Sequence, residues 1–163
     1  MTHDHFVVQS PAKPAQQLLL LFHGVGDNPV AMGQIGSWFA PLFPDALIVS
    51  VGGVEPCGPA PGRQWFSVQG VTEENRQARI NAIMPTFIET VRYWQKQSGV
   101  GPQATALIGF SQGAIMSLEG VKAEPNLASR VIAFNGRYAT LPETASTATT
   151  VHLIHGGEDR VID

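Results

Sequence analysis

Thr105-Ala106-Leu107-Ile108-Gly109-Phe110-Ser111-Gln112-Gly113-Ala114-Ile115-Met116-Ser117-Leu118 decides the architecture of this chain. The first four residues are an apolar, strand-like run, and the last five read as a helix. Between them lies the pentapeptide G-x-S-x-G. A bare G-x-S-x-G is common by chance, but a strand before it and a helix after it predict a nucleophile elbow. In so tight a turn, side chains flanking the serine would clash with the neighbouring strand and helix. Glycine avoids the clash and tolerates the strained backbone. The Ser111 hydroxyl is then held at the carboxyl end of a sheet, above a helix N-terminus that favours negative charge.

Working outward from the elbow, apolar β-prone runs alternate with helix-like stretches. Phe6-Val7-Val8 can open the sheet. Leu18-Leu19-Leu20-Leu21-Phe22 is continuous, as expected of a strand covered on both faces. Ala46–Val51, the run from Ala104 to Phe110, Val131-Ile132-Ala133-Phe134 and Val151-His152-Leu153-Ile154 follow. Asp27 or Asn28 can cap a helix with Pro29 in its first turn. Its predicted apolar face is Met32, Ile35, Phe39 and Leu42. Thr72, followed by Glu73 and Glu74, predicts the start of a longer helix with a core stripe of Ile80, Met84, Phe87, Val91 and Trp94. Pro85 is expected to kink or split it. The helix behind Ser111 should stop before Pro125.

This order predicts an α/β fold: a three-layer αβα sandwich around a mostly parallel, doubly wound sheet, in one domain over residues 1–163. Residues 52–70, rich in glycine and proline, read as a long loop over the carboxyl ends of the strands, where ligands bind in such sheets. Residues 140–150 read as a Thr/Ala-rich linker between two strands.

Composition narrows the function. The chain has 163 residues, 44% hydrophobic and 14% charged, with a net charge of −3. That is enough for one real core. With no basic block, a nucleic-acid partner is not expected. The longest apolar run, at 18–22, is far short of a membrane span. The N-terminus lacks the pattern of a signal peptide. The single cysteine, Cys57, precludes an internal disulfide framework and reads as an ordinary loop thiol. A cytoplasmic location is the expectation.

A serine hydroxyl is hardly ionised at neutral pH, so it needs a base, and the base needs an orienting carboxylate. The last apolar run leads into His155-Gly156-Gly157-Glu158-Asp159. Asp159, just past a strand's carboxyl end, is the candidate acid. A plain turn aspartate is the alternative, and Glu158 is the weaker candidate. The tetrahedral intermediate carries charge that two backbone N–H groups can absorb. Gln112, next to the serine, and Val25, in the loop Phe22-His23-Gly24-Val25-Gly26-Asp27, are the candidates. His23 reads as structural and hydrogen-bonded.

Four motifs occur together: Leu-Phe-His23-Gly-Val-Gly-Asp-Asn, Gly62-Arg-Gln-Trp65-Phe66, Gly109-Phe-Ser111-Gln-Gly113 and His155-Gly-Gly-Glu-Asp159. As an ordered set, from about residue 6 to residue 163, the chain resembles the carboxylesterase/phospholipase family of α/β-hydrolases, which includes the acyl-protein thioesterase-like enzymes. The resemblance implies Ser111 as nucleophile, Asp159 as triad acid, and Val25 and Gln112 as oxyanion donors. It also implies that Trp65 and Phe66 line an acyl pocket. The implied chemistry is hydrolysis of small acyl esters through an acyl-serine intermediate, with no metal and no cofactor. A thioesterase or lysophospholipase uses the same chemistry.

One feature departs from the family. The histidines are His3, His5, His23, His152 and His155, and only four residues follow Asp159. The family places its triad histidine downstream of the acid. The expectation is therefore a chain that stops before the last strand, the final helix and the base, and is nearly inactive by itself. Its last strand would be a bare sheet edge, favouring self-association. A non-catalytic binding protein that keeps the pocket is the rival of another class. A nucleotide-binding domain is disfavoured, because neither G-x-G-x-x-G nor G-x-x-x-x-G-K-[ST] occurs.

Overall fold

The strand of consecutive leucines, β2 (Gln17–Phe22), runs through the middle of the molecule with both faces covered. The computed structural model describes residues 4–58 and 61–158. Along β2, Leu18, Leu20 and Phe22 enter one core while Leu19 and Leu21 enter the other. This is the two-residue alternation of a strand, here apolar on both sides.

In chain order the other strands are β1 (His5–Gln9), β3 (Ala46–Val51), β4 (Glu55–Pro56), β5 (Arg63–Gln64), β6 (Thr105–Phe110), β7 (Arg130–Phe134) and β8 (Thr150–Ile154). Six of them form one sheet in the order β1-β3-β2-β6-β7-β8. All its pairs are parallel except β1 with β3. Among the described residues three α-helices cover it. The first, α1 (Pro29–Phe39), packs on β1, β2 and β3 and closes the smaller core around Met32, Ile48 and Ile108. On the opposite face α2 (Glu73–Ser98) and α3 (Gln112–Ala123) close the larger core, which includes Phe87, Met116 and Leu118. The three-layer, mostly parallel α/β fold is thus as the alternation of elements predicts. No helix among the described residues is long and apolar enough to cross a membrane.

The helix ends follow their capping chemistry. Asn28, not Asp27, caps α1, its Oδ1 accepting from Ala31 N–H at 3.0 Å. Thr72 and Asn75 cap α2 reciprocally, at 3.2 and 2.7 Å, satisfying two donors that the helix leaves over. α3 ends at Ala123, ahead of Pro125.

Three details differ from expectation. Leu42 is 71% exposed, because α1 gives way to a 3₁₀ turn at Ala40–Leu42 that carries this residue off the apolar face. Residues 52–70 are not all loop, since β4 and β5 pair there as a small antiparallel ladder. Pro85 does not split α2, which is continuous from Glu73 to Ser98. Proline removes the N–H that would bond the carbonyl of Asn81, and both residues lie on the exposed side. Water can take that carbonyl, so the helix survives at a cost. Replacing Pro85 with alanine is expected to stabilise the fold by about 1–3 kcal/mol, after allowing for the freer unfolded chain. Urea unfolding measures this.

Candidate active site

The connection from β3 through α2 to β6 carries the chain across β2, so the sheet grows first on one side of β2 and then on the other. The loops leaving β2 and β6 therefore emerge side by side, with Phe22 paired to Gly109. Ligands bind at such a switch point in open α/β sheets.

Ser111 sits at this point with φ 54° and ψ −115°, a backbone region that side-chain-bearing residues rarely occupy and that costs on the order of 1–3 kcal/mol. The surroundings enforce it. A Cβ on Gly113 would run into the carbonyl of Phe22, and a Cβ on Gly109 into the backbone of Gly113 and Ala114. The strand, the turn and the first turn of α3 are thus pressed together at two positions where only hydrogen fits. Ser111 N–H donates to Phe134 O at 2.9 Å, and Ser111 O accepts from Ile115 N–H at 3.0 Å.

The neighbouring loop, residues 23–27, is held as firmly. His23 is fully buried. Its Nε2 accepts from Gly53 N–H at 3.0 Å, so its proton must be on Nδ1, which donates to Gly24 O at 2.7 Å. Both ring nitrogens are engaged, as the structural role predicts. Gly26 N–H donates to Arg63 O and Arg63 N–H to Asp27 O, each at 2.9 Å. The Arg63 guanidinium donates to Gly53 O at 2.6 Å. A Cβ at position 24 would approach the Ser111 Cβ to 3.3 Å, tight enough to press on the nucleophile.

A cleft of about 410 Å³ opens here, its wall including Val25, Phe66, Phe110, Ser111 and Gln112. Gln112 is the first residue of α3, and the first N–H groups of a helix have no partner within it. Four of the six candidate residues, Ser111, Val25, Gln112 and Phe66, therefore share one cleft. Trp65 does not join them. It is fully buried in the larger core, its ring 6.0 Å from Phe22 and 5.2 Å from Phe87. Asp159 lies outside the described residues. The approach to it is visible: β8 extends the sheet beside β7, Asn135 N–H donates to Ile154 O at 2.8 Å, and Asn135 Oδ1 accepts from Gly156 N–H at 3.0 Å.

One contact escaped the sequence entirely. The Gln112 side chain is buried and clamps the distant loop, its Oε1 accepting from Trp65 N–H at 2.7 Å and its Nε2 donating to Phe66 O at 2.8 Å. The glutamine inside G-x-S-x-G hinted at it only by being polar at a buried turn.

The chain belongs to the Phospholipase/Carboxylesterase family, whose sequence pattern matches residues 3–163. It is 86% identical to the esterase YpfH of Escherichia coli strain K12 over 163 residues, covering 100% of this chain and 70% of that protein. It is 25% identical over 176 residues to acyl-protein thioesterase 1 of Kluyveromyces lactis, covering 95% and 75% of the two chains. Among solved structures, esterase PE8 superposes with a TM-score of 0.86 at 30% identity, over 99% of this chain and 78% of that one.

The buried His23 makes stability depend on pH. Desolvation holds its folded-state pKa below the ordinary 6.5, outweighing the bond to Gly24 and the charge of Asp27. As pH falls below that value the unfolded chain takes up the proton first, so stability is full above it and is lost until the folded pKa is passed. Urea unfolding at pH 7.5 and 5.5 should show this loss. A His23→Gln variant should be less stable at pH 7.5 and show a shallower slope.

Proposed function

We propose that this chain carries the nucleophile and oxyanion hole of a serine hydrolase acting on small acyl esters, built on a single α/β-hydrolase domain. Membership of the family and 86% identity to a named esterase support the reaction class. The observation that carries the mechanism is the strained Ser111 at the head of α3, opening on a cleft that Val25 and Gln112 also line. Ser111 Oγ attacks the ester carbonyl carbon, and its proton passes to a base. The C=O electron pair moves onto oxygen, where the N–H groups of Val25 and Gln112 receive the charge. Collapse expels the alcohol, which takes the proton back. Water then repeats the sequence on the acyl-serine and releases the acid. Asp159 is the residue proposed to orient the base, and Phe66 is the apolar wall against the acyl chain. Trp65 serves from behind, through the packing of the 65–66 segment. No step calls for a metal or cofactor.

The base is the step this chain supplies least well. His23 is buried with both nitrogens bonded, and His152 Nε2 lies 2.6 Å from Arg130 Nη1 at the start of β7, the end of the strand away from the elbow. His155 follows β8 and is exposed. Loss of the base in a comparable triad costs on the order of 10⁶ in kcat, and the chain by itself is proposed to be slow to that degree. The outer edge of β8 pairs with no strand among the described residues, and Leu153 and Ile154 are exposed, which supports self-association there. The composition supports a cytoplasmic site of action.

Two measurements test this reading. Hydrolysis of 4-nitrophenyl butyrate should be slow, and mass spectrometry of the chain after long exposure to the ester should find the butyryl group on Ser111. A rate within tenfold of ordinary esterases would overturn the slow-turnover proposal. A butyryl group found on another residue, or retained in Ser111→Ala, would overturn the choice of nucleophile.

A further inference from the structure

Part of the apolar wall of the Ser111 cleft belongs to neither sheet nor helix. Residues 66–70 run between β5 and α2 without joining either, and Phe66 and Val68 from this segment line the cleft. Ser67 and Gln69 line a second hollow of about 510 Å³, and Phe66 borders that one as well. The segment is therefore a partition between two spaces. The second hollow also has apolar lining, from Ala82 and Ile83 of α2.

The carbonyls of the partition have no ladder to join, so each takes another partner. Phe66 O accepts from Gln112 Nε2 at 2.8 Å. Val68 O accepts from Val71 N–H at 3.2 Å, and Gly70 O from Asn75 Nδ2 at 3.0 Å. The remaining two, Ser67 O and Gln69 O, converge on one atom. Arg79 Nη1 donates to both, each at 2.7 Å. Bonds from a charged donor are the short, strong kind. Gln112 grips the segment only at its leading end, and Asn75 only at its trailing end. Between them, from Ser67 to Gln69, Arg79 is the one side chain from outside the segment that bonds it among the described residues.

The fold does not need these two bonds. The one to Gln69 O is exposed and the one to Ser67 O is half-buried, so water can replace the guanidinium. Water cannot fix the distance between the segment and α2. Arg79 lines the second hollow and not the cleft, so its effect on a ligand at Ser111 passes through the partition.

We propose that Arg79 is a positioning residue that sets acyl specificity. By pinning residues 67–69 to α2 it keeps the cleft closed towards the second hollow, and so limits esters at Ser111 to short acyl chains. Released, the partition yields into the hollow and a longer chain follows it. The proposal rests on the ester-hydrolase reading of the cleft and adds an upper bound on the acyl group, with the residue that sets it.

The test offers 4-nitrophenyl butyrate and 4-nitrophenyl octanoate together to the chain, and mass spectrometry reads the ratio of octanoyl to butyryl groups on Ser111. Calorimetry reads the matching ratio of affinities for methyl octanoate and methyl butyrate in the Ser111→Ala chain. Arg79→Gln should raise both ratios about tenfold, the gain from burying one or two further methylenes. Hydrogen exchange of amides 66–71 should quicken in Arg79→Gln while the urea midpoint moves little. Adding Ala82→Leu, at an exposed position of α2, fills the hollow and should reverse most of the rise. Ratios unchanged in Arg79→Gln, an equal loss for both esters, or a rise that Ala82→Leu leaves in place would overturn the proposal and leave the ester-hydrolase reading standing. Affinities that shift as expected, with no acyl group reaching Ser111 from either ester, would sink that reading instead and leave Arg79 as the residue that shapes the cleft.

Discussion

The carbonyl of Phe22, at the end of the central strand, occupies the place where any side chain at position 113 would have to go. From this one steric fact much of the working end follows. Because position 113 carries no side chain, α3 can start directly against β2. Because Gly109 is equally bare, β6 can turn into that helix without a connecting loop. The only residue left to make the reversal is Ser111, and it does so with a positive φ. Hydrogen bonds to Phe134 and from Ile115 hold it there. Strain of this kind persists when the surroundings over-determine it, and here backbone contacts on two sides do so.

The elements readable in advance were those fixed by local rules. Uninterrupted apolar runs marked the doubly covered strands, and the pair Asp27 and Asn28, with Thr72 and Pro125, marked helix limits. What escaped depended on surroundings. Pro85 carries a strong breaking signal, but whether it breaks a helix depends on which side faces water. Leu42 keeps the helical period in the sequence, but the turn at Ala40–Leu42 tightens and the period no longer applies. Trp65 shares a motif with Phe66, and neighbours in a sequence need not share a destination. Phe66 reaches the cleft, whereas Trp65 packs against both Phe22 and Phe87.

The polar framework of the site was the least visible part. His23 to Gly53, Arg63 to residues 26 and 27, and Glu73 to Arg76 and Arg137 join segments that are partly remote in sequence. No periodicity announces such pairs. Their common effect is to tie the loop after β2 to residues 53–63, and the start of α2 to the segment after β7, in one rim. Groups that must meet a developing charge do best when already in place. The rim supplies that order mainly through backbone donors and acceptors and a few buried side chains.

Gln112 grips its distant partners only by main-chain atoms, Trp65 N–H and Phe66 O. The side chains at 65 and 66 contribute nothing to that grip. A lineage is therefore free to reshape the wall of the cleft at position 66 while the tether holding it to the elbow stays intact. Diversification of acyl preference and conservation of the scaffold are separable in this design, the first written in side chains and the second in backbone.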